Sequence, residues 1–391
     1  MSRTRRRATI LTAAAASVVA GVALLPNWSA GAAVVDDPTV NAKDKATFQR
    51  LADAVFTDRT EALVTGGSKH GHKPRTGGFS GRVALSSGLS HQEDTARDSL
   101  GQRKNRLAAV GEKYSAADTK VTLDATNVQG RRATVAVTET TTLTYAKVRG
   151  DEPRTTGFQA HHELTFKADK RGNWRLTSIR ETDDGEIAVN QPTAKPSVST
   201  KTATTTSNTM PDAPRASTNR WTATKNPKDL AAGAYDYKAM AAYAEKYWSN
   251  YNTAYPDFNG HGAGGDCTNF VSQSLKAGGW KHVPGYVYDY TRWFGTADIQ
   301  SDSFVGVNEW SWFAQNSKRT TPLTNVYQLD VGDVLQMDFD RDGSKDHTMI
   351  VTYRSPQGVP YLTYHSTNTY RRSVSSIIAS YPTAAYYAYR T

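Results

Sequence analysis

Gly264-Gly265-Asp266-Cys267-Thr268-Asn269-Phe270-Val271-Ser272-Gln273-Ser274-Leu275 carries the only cysteine of the 391 residues and sets it where a helix should begin. The glycines free the backbone, and Asp266 is placed to accept a helical N–H as N-cap. Phe270, Val271, Ser274 and Leu275 recur at helical spacing, and Gly278-Gly279 supplies the stop. A thiol in the first turn faces unpaired N–H groups and the positive end of the helix dipole, which favour thiolate, so a nucleophile is expected. The competing reading is a buried, inert cysteine.

Outside a cell a lone cysteine has no disulfide partner, and the start of the chain reads as an export signal. Arg3, Arg5, Arg6 and Arg7 precede the apolar run Ile10 to Leu25, and Ala30-Gly31-Ala32 fits a small-x-small cleavage site. Residues 1–32 are therefore expected to be a signal peptide, with a secreted or wall-associated mature protein and no stable membrane insertion after cleavage. The formal net charge is +10, yet residues 229–391 hold 13 Lys and Arg against 15 Asp and Glu, so the basic excess lies upstream. Such a surface suits peptidoglycan or an anionic wall polymer. Nucleic acid is not expected, because no phosphate loop, zinc spacing or RNA-binding signature is present.

The length predicts two domains. Residues 41–187 read as a small α+β unit of unknown role: helices over 41–65 and 90–114, then alternating strands over Val121 to Val128, Ala133 to Val148, Gln159 to Lys167 and Trp174 to Ile179. The helix-then-sheet pattern is similar to the cone-shaped NTF2-like folds. His70 and His72 read as loop histidines; His161 and His162 share a strand and should point to opposite faces. Residues 188–228, rich in Thr, Ser, Ala, Pro and Lys, read as a flexible basic linker.

Residues 229–391 read as a second α+β domain, with helical spacing over Tyr237 to Trp248, the cysteine helix, an aromatic-rich middle, and strands over Asp333 to Met337, Thr348 to Tyr353 and Val359 to His365. With Arg354 to Gly358 as the hairpin loop, Tyr353 pairs with Val359 and His347 falls opposite His365, on one face. A helix-start cysteine with an oriented histidine is what thiol acyl transfer needs. His347 is then the expected base, His365 its orienting partner, and Asn252 or Tyr255, with the Cys267 N–H, the oxyanion donors.

Tyr243-Ala244-Glu245-Lys246-Tyr247-Trp248, Asn252-Thr253-Ala254-Tyr255, Asp266-Cys267-Thr268-Asn269-Phe270-Val271-Ser272-Gln273, Ala277-Gly278-Gly279-Trp280, Gly332-Asp333-Val334, Asp346-His347-Thr348 and His365-Ser366-Thr367-Asn368 together resemble the bacterial "putative amidase domain" family, which is similar to the papain-like NlpC and CHAP peptidases and amidases. The resemblance implies a papain-like fold and a Cys-His-polar triad at Cys267, His347 and His365, with Asn368 as alternative orienting residue. Ser274 stands where relatives often carry a second cysteine.

Asp338, Asp340, Asp342 and Asp346 space oxygens as in a calcium loop, with Gly343 at the sharp turn, but Met349 stands where the bidentate glutamate belongs. Calcium, if taken, is expected to bind weakly; an acidic hairpin loop is the plainer reading, and no cofactor is required. The function expected is a secreted cysteine amidase or peptidase acting on a wall amide. The alternatives are a non-catalytic wall-binding protein and a transamidating relative using the same thioester chemistry.

Overall fold

The structure, a computed structural model, describes residues 39–66, 74–192, 210–220, 228–231, 233–260 and 265–391. The signal-peptide reading, His70, His72 and most of the basic linker lie outside them. The described residues form an α+β structure.

Helix α1 (Ala42–Glu61) starts on a capping box between Asn41 and Asp44 and buries Phe48, Leu51, Ala52, Val55 and Phe56, the stripe its 3.6-residue period marks. Strand β1 (Val83–Leu85) is followed by α2 (Ser87–Ala109), capped by the Ser86 hydroxyl. Four long strands follow, β2 (Tyr114–Gln129), β3 (Arg132–Tyr145), β4 (Thr155–Ala168) and β5 (Trp174–Glu181). They curve over α1, where Phe48 stacks on Phe166 at 3.9 Å and meets Trp174 edge-on. The expected second helix, 90–114, begins and ends earlier, because Tyr114 already belongs to β2.

Helices α3 (Tyr237–Tyr247), α4 (Cys267–Ala277), α5 (Asp302–Val305) and α6 (Val307–Asn316) precede β6 (Thr321–Leu323), β7 (Val334–Asp338), β8 (His347–Arg354), β9 (Pro360–Tyr364) and β10 (Asn368–Ser373); α7 (Val374–Ser380) and β11 (Ala385–Arg390) close the chain. Phe270 and Val271 of α4 pack with Val334 and Ile350 on one face of these strands, while Met349, Val351, Leu362 and Tyr364 turn to the other face with Val374 and Ile377 of α7.

The two halves are not independent. One sheet runs β1-β5-β4-β10-β9-β8-β7-β11-β6, with β3 on the other edge of β4 and β2 beyond it. Gln159, Phe158 and Gly157 of β4 pair with Asn368, Thr369 and Tyr370 of β10. Beside this seam, Leu63, Tyr114, Tyr145 and Phe158 share a core with Tyr361 and Ala379. The sequence offers no sign of this, since a seam of three residue pairs leaves no trace in strand periodicity. Nor does the linker start at 188: Ala188, Asn190 and Gln191 are buried, the carboxamides of Asn190 and Gln191 bonded to Glu139 and that of Gln191 also to Arg59. At its other end Ser217 bridges to Asn325 and Ala216 donates to the Tyr386 carbonyl at 2.7 Å.

Candidate active site

Gly265 adopts φ +90°, and a Cβ there would overlap the hydroxyl of Ser366. This close approach lets the chain turn directly into α4 with Cys267 as first helical residue. The thiol lies 3.8 Å from the Thr268 hydroxyl and takes a backbone hydrogen bond from Thr348, the residue after His347. Thr268 and Thr348 join the two elements through their hydroxyls at 2.9 Å. Cys267 is only 1% exposed. Burial raises its pKa above the ordinary thiol value against these hydrogen bonds, so the thiolate expected from the helix start is not the resting form.

Asp266 occupies the N-cap position, yet its side chain makes no capping bond to the helix backbone. Its carboxylate instead meets His365 Nδ1 at 2.6 Å and accepts from Asn269 Nδ2 at 2.8 Å and the Phe258 N–H at 3.2 Å. His365 Nε2 faces the Tyr247 carbonyl at 2.8 Å, and the ring is sandwiched between Tyr251 and Phe270 at 3.9 Å from each. Since both ring nitrogens face acceptors, a proton must lie between His365 and Asp266 for both contacts to be hydrogen bonds. His365 thus pins the end of α3, the loop before Cys267 and the first turn of α4.

The expected opposition of His347 and His365 is overturned. Tyr353 pairs with Tyr361, not Val359, and an irregularity between Val351 and Tyr353 shifts the register so that Ile350 pairs with Thr363. One extra residue flips every side chain beyond it to the other face. His365 therefore faces α4, whereas His347 turns to the Tyr364 side, 5.0 Å from that ring. His347 is fully buried, neither ring nitrogen has a hydrogen-bond partner, and burial, helped by Arg372, depresses its pKa to about 3. It is a neutral imidazole with free nitrogens at the same end of the sheet as Cys267. No hydrogen bond links the two.

The remaining candidates disperse. Asn368 accepts from the Tyr251 hydroxyl at 2.8 Å and does not bond to His347. Asn252 is held in a turn by the Ala254 N–H and donates to Tyr243, while the Tyr255 hydroxyl takes Lys276 Nζ at 2.9 Å; neither bonds to Cys267. Asp338, Asp340 and Asp346 bring carboxylate oxygens within 4.8 Å of one another, and Asp342 stands outside that group. Asp338 already accepts backbone N–H groups of Arg341 and Gly343, as an acidic hairpin loop does, and burial raises Asp346 to about 6. His161 and His162 do diverge, to Asp183 and to Glu139.

Sequence reasoning missed the turn between β9 and β10. Ser366 and Thr367 sit at φ 64° and 59°, a costly conformation for a β-branched residue. Ser366 Oγ accepts the Asp266 N–H at 3.1 Å, and Thr367 Oγ1 donates to the Glu186 carbonyl at 2.5 Å. No local signal marks it, because a Ser-Thr pair is not the usual composition of a tight hairpin turn.

An α+β fold that starts a helix on its single thiol, beside a strand opening with a histidine, defines a protein with a thiol centre. Residues 234–389 match the model of a family described as "Putative amidase domain". Over 142 residues the chain is 32% identical to the uncharacterized protein YhbB of Bacillus subtilis (strain 168), and over 136 residues 32% identical to YjcM of the same organism. These matches take 35% of this chain in each case, and 44% and 32% of the relatives, so the chain spans less than half the length of either. A solved structure, the intermembrane space region of the chloroplast protein ARC6, matches 37% of this chain and 98% of its own at 14% identity and a TM-score of 0.24, too slight a likeness to carry an argument.

Proposed function

We propose that the protein is a cysteine amidase, in which Cys267 attacks an amide carbonyl, forms a thioester and releases the amine, and water then regenerates the thiol. His347 is the base that takes the thiol proton and returns it to the leaving amine. The observation that carries this is the thiol at the start of α4, bonded to the backbone of Thr348, the residue that follows a neutral histidine with two unengaged nitrogens. His365 cannot serve as that base without releasing Asp266 or the Tyr247 carbonyl, so it positions the nucleophile's helix. His347 opens β8 on the Tyr364 face, so its ring must turn towards α4 for the pair to close on substrate entry, where catalytic hydrogen bonds often tighten.

The export-type start and the basic upstream half support a secreted enzyme whose substrate is an amide of cell-wall peptidoglycan. The test is amine release from muropeptides by the full chain over hours, beside Cys267→Ala and His347→Gln chains of native circular dichroism. Cys267→Ala is expected to abolish release and His347→Gln to lower it by about 10²–10⁴-fold. A Cys267→Ala chain that keeps the native rate overturns the reading.

A further inference from the structure

The segment that leaves β5, residues 182–191, crosses the thiol centre. Asp183 accepts from the His161 backbone N–H and from Asn259 Nδ2, at 2.8 and 2.7 Å, and the Asp184 N–H donates to Asn259 Oδ1 at 3.2 Å. Asn259 belongs to the loop that leads to the cysteine. The Asp184 side chain lies against Gly265, two residues before Cys267. Gly185, at φ +91°, lies over His347: a Cβ there would come 3.7 Å from His347 Nδ1 and 3.5 Å from Ser366 Cβ. Glu186 is buried in an ion pair with Arg372, and its carbonyl takes the hydroxyl of Thr367 in the strained turn.

Beyond the centre, Ile187 bonds to the Tyr381 hydroxyl, and Asn190 and Gln191 enter the interior of the N-terminal half. There Asn190 donates to Glu139 at 2.6 Å, Gln191 accepts from Arg59 at 2.6 Å, and Arg103 holds the Val189 and Gln191 carbonyls. The segment is thus tied at both ends to the N-terminal half and laid in its middle on the catalytic end of the other half. The segment lies against His347, which is 0% exposed, and against Gly265, two residues before Cys267, which is 1% exposed. An amide substrate reaches a thiol so buried only when the surrounding segment lifts, which makes turnover by the native chain slow.

We propose that residues 182–191 are a built-in strap that keeps the thiol centre closed, so that the folded chain is latent until the strap is displaced. This rests on the amidase reading only for what the open centre does, not for the closure itself. Displacing the strap takes Gly185 off His347 and removes one of the bonds that hold the Ser366–Thr367 turn. It needs no unfolding of the sheet beyond the one backbone bond from the Thr182 N–H to the His161 carbonyl at 2.9 Å, because the other ties each use a side chain, at Asp183, Asn259, Thr367, Arg372 and Tyr381 and, at the far anchor, Arg59, Arg103 and Glu139.

The chain's single cysteine makes the test direct. Iodoacetamide labelling of Cys267 is followed in the full native chain, in Asn190→Ala/Gln191→Ala, which loosens the distant anchor, and in Asn259→Ala, which removes two strap bonds at a half-buried loop residue. Native near-ultraviolet circular dichroism is required of each. Should the buried anchor variant fail to fold, Asn259→Ala alone decides. The expected result is native labelling at least tenfold slower than in the urea-unfolded chain, and a rise of at least tenfold on loosening. Native labelling as fast as in the unfolded chain, or no rise in a folded variant, overturns the strap. Muropeptide turnover is read in parallel: faster labelling without turnover keeps the strap and removes the amidase reading, whereas faster labelling with turnover supports both.

Discussion

His347 shows what burial does to a single side chain. Its pKa falls from an ordinary 6.5 to about 3, so the folded chain binds fewer protons than the unfolded one between those values. Stability must then drop as pH falls from about 6.5 towards about 3. His347→Gln removes that contribution, and its melting temperature should decline less than the native one between pH 7 and pH 4 when the two are followed by circular dichroism. Parallel curves would mean that His347 titrates as if solvated. The candidacy of this residue as a base was legible in the sequence, which holds a lone helix-start cysteine for it to serve. Its direction was not, since a single irregularity between Val351 and Tyr353 reverses the face and alternation contains no record of it.

Helix α4 was legible as an element, from its apolar spacing and glycine stop, and the structure places it at Cys267–Ala277. What secures its first turn was not, because Asp266 reads as an ordinary N-cap until folding brings His365 against it from 99 residues away. The buried Asp266–His365 contact ties α4 to the end of α3 and to the strand edge at once. His365→Phe keeps an aromatic ring between Tyr251 and Phe270 but strands a carboxylate in the interior. The expected cost is about 3–5 kcal/mol, the usual penalty for removing one partner of a buried pair, measured by urea denaturation. A loss under about 1 kcal/mol would reduce the ring to a packing role, since surface-like pairs contribute no more than that.

At the scale of the whole molecule, length and composition suggested two bodies on a string, and the described residues instead share one sheet. The seam is made by parts that look unremarkable alone: Gly157 to Gln159 on one strand, Asn368 to Tyr370 on another, and a mixed core around Tyr114, Tyr145 and Tyr361. Pairing between residues more than 200 positions apart is set by the topology and lies beyond any local reading of sequence. Its thermodynamic consequence is cooperativity. Heating should give one calorimetric transition whose van't Hoff and calorimetric enthalpies agree, and two separated transitions would show that the halves melt independently.

The same seam governs what a protease could liberate. A C-terminal half cut away from its upstream partner would leave Asn368–Tyr370 with bare N–H and C=O groups where Gln159, Phe158 and Gly157 had been. An uncovered strand edge recruits whatever strand is at hand, including another copy of the same fragment. Complete separation of the halves would therefore create a self-associating, aggregation-prone species, and a nick that leaves β4 in place would not.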